Sequence, residues 1–143
     1  MIDRTGKWWI GTEAADVEEY LRGYTEGGYP ADHFEAARCA CSAAVFRLDA
    51  DRDEGCARRT CTSCESEHFI CDSANYSEAA HLEPIECPCG NNAFDLAAAF
   101  SHGSDGSVRW ISVGVRCAAC GVLGCPVEWK IDYAPTEHLY QQV

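Results

Sequence analysis

Eight of the 11 cysteines form two copies of one pattern, in which a C-x-C pair is followed by a C-x-x-C pair. The first copy consists of Cys39, Cys41, Cys61 and Cys64, and the second consists of Cys87, Cys89, Cys117 and Cys120. Four thiols can close one tetrahedral metal site, and closed four-cysteine sites are structural more often than catalytic. The pattern therefore requires each half of the chain to bring two distant cysteine pairs together.

The spacing within each pair suits a shared metal ion. A C-x-x-C turn folds back and points both sulfurs at one centre, about 2.3 Å from a zinc ion. A C-x-C pair can do the same across a turn, or from one strand face, where side chains two residues apart align. Gly90 follows the second C-x-C and can take a left-handed backbone. Ser42 holds that place in the first copy, which allows for a different turn there.

The similarity between the copies extends beyond the cysteines. Phe46 and Phe94 lie at the same offset from the C-x-C pair, and Leu48 and Leu96 follow two residues later. The two pairs are separated by 19 residues in the first copy and by 27 in the second, which are lengths that suit a β-hairpin. The repeat predicts two related metal-binding units.

Disulfides are the main alternative to metal in a chain with this many cysteines. The odd count opposes them, a C-x-C pair is too close to bridge itself easily, and no apolar stretch typical of a secretion signal follows Met1. We therefore expect a reducing, cytoplasmic location and two bound metal ions. Zinc is favoured, and iron, as a rubredoxin-like centre or a cluster, is the weaker alternative.

The secondary structure follows from periodicity and turn signals. Residues 12–24 place apolar side chains at helical spacing, with Thr12 as the N-cap, and a second short helix is predicted over 31–37. The predicted strands are 45–48, 56–61, 67–71, 94–100, 108–116 and 127–133, although the alanines of 94–100 also permit a helix. A short helix at 73–80 and a helical tail from Thr136 complete the prediction.

Hairpins that carry paired cysteine turns, with a third strand after the second turn, resemble the zinc-ribbon fold group. The resemblance covers about residues 39–133, although a C-x-C pair replaces the usual first C-x-x-C in both copies. It implies a small, metal-stabilised α+β protein. The predicted parts are an N-terminal helical segment (1–38), a first zinc-ribbon unit (39–72), a linker (73–86) and a second unit with its tail (87–143).

The formal charge is −12, and eight thiolates with two Zn²⁺ ions would add four further negative charges. Phosphate backbones are bound mainly by Lys and Arg, so this charge disfavours a nucleic-acid role. We interpret the basic residues Arg58, Arg59, Arg109 and Arg116 as partners of nearby carboxylates or metal thiolates. Residues 49–54 are an acidic run that does not fit the calcium-loop template and predicts an exposed hairpin tip.

Cys56, Cys71 and Cys125 lie outside the repeat, and burial is the default for a free cysteine. A redox or nucleophilic role would need a lowered thiol pKa and access to solvent. His68 lies close enough to the first pattern to be an alternative ligand. The chain has no phosphate loop and no protease or deaminase signature, and two closed sites leave no open position for a catalytic metal. We therefore do not expect an enzyme.

The favoured hypothesis is an acidic protein with two structural zinc sites that binds another protein. The acidic tip would attract a basic partner, and tryptophans, if exposed, would be anchors. These tryptophans are Trp8, Trp9, Trp110 and Trp129. The alternatives are a nucleic-acid-associated zinc-ribbon protein and a metal- or thiol-dependent enzyme or redox or zinc sensor. No apolar run is long enough for a membrane span, and nine arginines against two lysines hint at a GC-rich bacterial genome.

Overall fold

Two β-hairpins, one from each cysteine repeat, lie side by side in one antiparallel sheet in the computed structural model, which describes residues 1–143. In chain order the elements are β1 (Ile2–Asp3), β2 (Ile10–Gly11), α1 (Asp16–Thr25), β3 (His33–Ala36), β4 (Val45–Asp51), β5 (Cys56–Cys61), β6 (Glu67–Phe69), β7 (Glu83–Pro84), β8 (Phe94–His102), β9 (Val108–Cys117) and β10 (Leu123–Lys130). Short 3-10 turns cover Ser73–Tyr76 and Glu137–Gln141. The strand order is β10-β9-β8-β4-β5-β6, with β3 beside β8 and β7 beside β4, so the sheet runs unbroken through both repeats.

The two repeats meet through equivalent residues. Strands β4 and β8 are antiparallel, and Phe46 lies directly opposite Phe94. Within the hairpins, Phe46 also lies opposite Cys61, and Phe94 lies opposite Cys117. Because equivalent positions pair with each other across antiparallel strands, the two hairpins are related by a local twofold axis that passes between the phenylalanines.

The sheet buries side chains on both faces. One face carries the larger core, which includes Phe46, Phe94 and Phe100. The other face is covered in part by α1, whose Val17 and Leu21 belong to a smaller buried cluster. Small residues in β8 and β9 let the helix approach closely: a Cβ added at Gly114 would lie 2.8 Å from the Leu21 side chain. Burial of this apolar helix face contributes most of the stability of a ten-residue helix.

Two predictions for residues 1–38 are wrong. The helix begins at Asp16, not at Thr12, because the Asp16 carboxylate accepts the backbone N–H groups of Thr12 (2.8 Å) and Glu13 (3.2 Å) and holds them in a turn. The second predicted helix, 31–37, is the strand β3, which pairs with the free edge of β8. The N-terminal segment therefore contains one helix and three short strands.

The strands predicted in the two repeats are confirmed, with shifted ends. The largest shift is in the last strand, predicted over 127–133, which runs from Leu123 to Lys130. It starts early because Leu123 already pairs with Arg116 immediately after the second C-x-x-C turn, and an irregularity between Gly124 and Val127 then shifts the register. The helices predicted at 73–80 and in the tail are the two 3-10 turns. No helix of the protein has the length and apolar character to cross a bilayer.

Candidate metal centres

The structure brings the eight repeated cysteines together in two groups, Cys39, Cys41, Cys61 and Cys64 in group 1 and Cys87, Cys89, Cys117 and Cys120 in group 2. All sulfurs within a group lie within 4.8 Å of one another. Four sulfurs placed tetrahedrally around one ion at about 2.3 Å are roughly 3.8 Å apart. A disulfide would require about 2.05 Å, and all 11 cysteines are free thiols.

The closest sulfur pairs are almost the same in both groups. In group 1, the Sγ atoms of Cys41 and Cys61 are 3.6 Å apart. In group 2, the corresponding atoms of Cys89 and Cys117 are 3.7 Å apart. A second close pair, from the first C-x-C cysteine to the last C-x-x-C cysteine, has its sulfurs 3.5 Å apart in both groups. Both groups thus have the dimensions of a four-thiolate site for a single ion.

The C-x-C turns have the same backbone despite their different sequences. Ser42 donates its N–H to the Cys39 carbonyl at 2.9 Å, and Gly90 donates its N–H to the Cys87 carbonyl at 2.8 Å. Both donors have left-handed backbones, with φ of 76° at Ser42 and 92° at Gly90. The serine therefore accepts a conformation that glycine adopts at little cost.

The C-x-x-C turns also match. Glu65 donates its N–H to the Cys61 carbonyl at 3.0 Å, and Gly121 donates to the Cys117 carbonyl at 2.9 Å. Their φ angles are 64° and 83°. This turn aims the two cysteines of each pair at one point, and strand pairing then places them against the C-x-C turn.

Local donors lower the pKa of two thiols in group 1 and of one thiol in group 2. The Ser66 hydroxyl lies 3.1 Å from the Cys64 sulfur and is the main reason that the pKa of Cys64 falls to about 6. Burial opposes ionisation of Cys117, but the backbone N–H of Cys120 and the Asn91 side chain bring the pKa of Cys117 to about 6. Each group therefore contains a thiol that ionises readily to the thiolate.

Further ionisation within each group is opposed. Burial and the neighbouring sulfurs raise the pKa of Cys87 to about 12. A bond from the Ala43 backbone acts against the shift at Cys41, but the sulfurs of Cys39 and Cys61 raise the pKa of Cys41 to about 12. Four thiolates this close need a cation between them, and thiolate donors suit zinc or a single iron ion. The residues present therefore fit a bound metal.

Arg59 distinguishes the surroundings of group 1. Its guanidinium is buried (6% exposed), lies 4.5 Å from the Phe46 ring centre, and donates to the Val143 carbonyl at 3.1 Å. The charge of Cys39 and Cys61 supports its protonated form against the cost of burial. Group 2 has an uncharged side chain, Val115, at the equivalent strand position. The sequence interpretation of Arg59 as a partner of metal thiolates agrees with this position.

The other interpreted arginines pair with carboxylates. Arg58 contacts Asp49 at 3.1 Å, Arg109 contacts Asp105 at 2.8 Å, and Arg116 contacts Asp95 at 2.9 Å. These six residues form local pairs on or beside the sheet.

The cysteines and the histidine outside the repeat do not join either group. The sulfur of Cys56 donates to the Ser73 carbonyl at 3.4 Å, and burial raises its pKa. Burial also raises the pKa of Cys71 and that of Cys125, the latter to about 12. His68 contacts the Gln142 carbonyl at 2.8 Å through Nε2. None of these thiols has the lowered pKa that a nucleophile requires.

The four tryptophans differ in exposure. Trp129 is buried, and its Nε1 donates to Asp72 at 3.0 Å. Trp110 is half-buried and stacks on Tyr29 with ring centres 4.8 Å apart. Trp8 and Trp9 are 48% and 38% exposed. Only the last two are available as large exposed anchors, so Trp129 is excluded from that role.

A cleft of about 800 Å³ that the sequence does not predict lies beside Trp8 and Trp9. It is lined by the N-terminal segment, α1, the second C-x-C turn and the start of β10. Because these segments are far apart in sequence, no local motif signals their meeting.

Comparisons with known proteins do not add a family to this description. No protein-family model matches the chain, and neither a curated protein nor a solved structure matches it. The resemblance to zinc ribbons therefore depends on the cysteine spacing, the hairpins and the geometry of the two groups.

Proposed function

We propose that each four-cysteine group binds one Zn²⁺ ion through all four thiolates, and that both ions are structural. The observation that carries this proposal is the agreement of the closest sulfur–sulfur distances, 3.5–3.6 Å in group 1 and 3.5–3.7 Å in group 2. A four-thiolate shell leaves no coordination position for water, which a catalytic zinc requires. An iron–sulfur cluster would hold its cysteine sulfurs farther apart than one ion does, so the geometry favours a single ion.

The bound ions would join the ends of each hairpin. A unit of about 50 residues buries too little apolar surface to be very stable alone, and the binding free energy of a structural zinc ion becomes folding free energy. The metals would thereby hold the C-x-C turn onto the strand pair that carries Phe46 in the first unit and Phe94 in the second. Fixing the fold is their function in this proposal.

The protein itself would act as a binding module for a basic protein partner in a reducing, cytoplasmic compartment. Its formal charge of −12 supports this choice. So does the surface at the β4–β5 tip, where Asp53 and Glu54 are exposed. These two residues line a smaller cleft of about 380 Å³ together with Glu128 and Asp132. Electrostatic attraction of this kind speeds encounter and excludes acidic partners.

Metal analysis tests the first part of the proposal. Protein purified without added metal should contain two zinc ions per chain by elemental mass spectrometry. A 4-(2-pyridylazo)resorcinol assay with a thiol-blocking reagent should release both. One ion per chain, or iron in place of zinc, would contradict the proposal for the group concerned.

Two double variants, each of which neutralises two acidic side chains, test whether the acidic tip binds a basic partner. Asp53→Asn with Glu54→Gln should reduce the capture of basic proteins from a native lysate several-fold at about 0.15 M salt. The control, Glu78→Gln with Glu137→Gln, removes the same charge from exposed positions away from that cleft and should not. Equal capture by both variants would remove the acidic tip from the proposal. A retarded band with DNA or RNA at low salt would favour a nucleic-acid role instead.

A further inference from the structure

The cleft of about 800 Å³ is separate from the proposed metal function. Its first wall is the N-terminal segment with Trp8 and Trp9, and α1 continues that wall. Its second wall is the run 85–88 at the second C-x-C turn, and 122–126, at the start of β10, forms its base. Only one group 2 ligand, Cys87, lines it. Its volume falls in the range of small-molecule sites, about 300–1,000 Å³.

Aromatic rings form an ordered surface in this cleft. Trp9 meets Tyr20 edge-on with ring centres 6.0 Å apart, and Tyr20 stacks on Tyr24 at 6.0 Å. Tyr24 is 46% exposed, and with Trp8 and Trp9 it forms a group of exposed rings that line one cleft. The rings provide a rigid apolar face that would otherwise remain against water.

Basic side chains outnumber acidic ones in the cleft, whereas acidic side chains predominate in the whole protein. Three of the 11 basic side chains line it, Arg4, Lys7 and Arg52, but only two of the 23 acidic ones, Glu26 and Glu86. Arg4 contacts Glu19, outside the cleft, at 3.4 Å.

Lys7 and Arg52 take part in no ion pair. The Lys7 ammonium lies 5.2 Å from the Trp8 ring centre. The cleft thus presents two cations without an ion-pair partner beside exposed aromatic rings, and together these match a ligand with an anionic head and an apolar body.

We propose that this cleft binds a small amphipathic carboxylate with an aryl or alkyl body. The body lies against Trp8, Trp9 and Tyr24, and the carboxylate is held by Lys7 and Arg52. A basic or neutral ligand of the same shape lacks the charge-assisted bonds and binds more weakly. Arg52 also lines the acidic cleft, but Lys7, Trp8 and Trp9 do not, so the aromatic part of the site is distinct from the surface proposed for the protein partner.

Calorimetric titration of the metal-loaded protein with dodecanoate and with 2-naphthoate tests the ligand class. The first probe has an alkyl body and the second has an aryl body. Binding of either one supports the proposal and identifies the body as alkyl or aryl. The matched probes are dodecanol and dodecyltrimethylammonium below their micellar concentrations, which should bind at least tenfold more weakly. Equal affinity for the cationic probe, or no heat with either carboxylate up to millimolar concentration, would overturn it.

Two pairs of variants place the ligand. Lys7→Gln should weaken carboxylate binding about tenfold, since it removes one charge-assisted bond to the carboxylate. Lys130→Gln changes the only other lysine, also exposed, unpaired and outside this cleft, and should have no effect. Gly23→Phe should abolish binding, because Gly23 lines the cleft with no atom within 4 Å of an added Cβ.

Gly27→Phe is the control for Gly23→Phe, since Gly27 has the same open surroundings but does not line the cleft. Circular dichroism and metal content should match the wild type in all four variants. If a folded Gly23→Phe protein binds the carboxylate as tightly as Gly27→Phe does, the ligand lies elsewhere and the proposal is wrong.

Discussion

The two four-cysteine groups reach the same geometry on different supports. The strands of the second unit have nine, ten and eight residues, and α1 packs on them. The strands of the first unit have seven, six and three residues. Its outer part is held by the C-terminal segment, where the Cys71 N–H donates to the Gln142 carbonyl at 2.7 Å.

The groups also differ in the exposure of their cysteines and in the backbone strain of their turns. Cys41 and Cys64 of group 1 are exposed, whereas only Cys89 of group 2 is. Left-handed positions hold glycine in the second unit and Ser42 and Glu65 in the first. Cysteine spacing and strand register therefore determine the geometry of each four-cysteine group. Strand length, burial and the turn residues determine how stable the surrounding structure is.

Removal of one ligand should give the largest difference between the units. Cys61→Ser and Cys117→Ser should each lower the metal content from two ions to one, because a closed structural site needs all four of its thiolates to hold the ion firmly. Cys117→Ser should reduce the free energy of unfolding more, since β9 joins α1 to the sheet. Elemental analysis and urea unfolding measure both effects. Equal losses would mean that the two units unfold as one.

Gly121 should be the most sensitive turn residue. Its φ is +83°, and an added Cβ would lie 2.5 Å from the Gly11 carbonyl oxygen. Gly121→Ala should therefore lower the free energy of unfolding by about 2–4 kcal/mol, from backbone strain and displacement of the Gly11 strand. Its counterpart, Glu65→Ala, already has a side chain at this turn and should cost less than about 1 kcal/mol. Urea denaturation compares the two, and similar losses would show that the turns tolerate side chains equally.

Arg59 should strengthen metal binding in group 1 alone. A buried cation beside Cys39 and Cys61 offsets the negative charge of a four-thiolate site, and loss of such outer partners typically reduces metal affinity 10–100-fold. Arg59→Met should therefore weaken one zinc ion about tenfold and leave the other unchanged. Competition with a graded series of chelators measures the two affinities. Arg47→Met, which removes the exposed pair with Glu65, is the control and should change neither.

The cysteine repeat predicts much of this structure because the four cysteines of each group flank the strands of a single hairpin. The spacing identifies all eight members of the two groups, and alternation identifies the strands on either side of each turn. The failures are at Thr12, where a side-chain contact from Asp16 decides, and at 31–37, where pairing with the distant strand β8 decides. The Asp16 carboxylate binds the backbone N–H groups before the helix. Residues 33–36 pair with the edge of β8 that β4 leaves open, although their local sequence also allows a helix.

The meeting of the two units lies beyond sequence reasoning for a related reason. Nothing local requires Phe46 to pair with Phe94, since either hairpin could present that edge to solvent. The pairing follows from burial of both rings, each under 3% exposed, which is a property of the assembled sheet. The large cleft likewise depends on distant segments, so the exposed Trp8 and Trp9 could be noted in the sequence but not placed.

The smallest effect should come from exchanging the residues at the left-handed C-x-C position. Ser42 and Gly90 are both exposed, and an added Cβ at Gly90 would meet only the Glu86 carboxylate, at 4.0 Å. Ser42→Gly should therefore raise the free energy of unfolding by about 0.5–1 kcal/mol through relief of strain alone. Gly90→Ser should lower it by a similar amount. Thermal and urea unfolding of both variants measure the pair. A loss of stability in Ser42→Gly would mean that the greater freedom of glycine in the unfolded chain outweighs the backbone strain at Ser42. The serine would then cause no net loss in the free energy of unfolding.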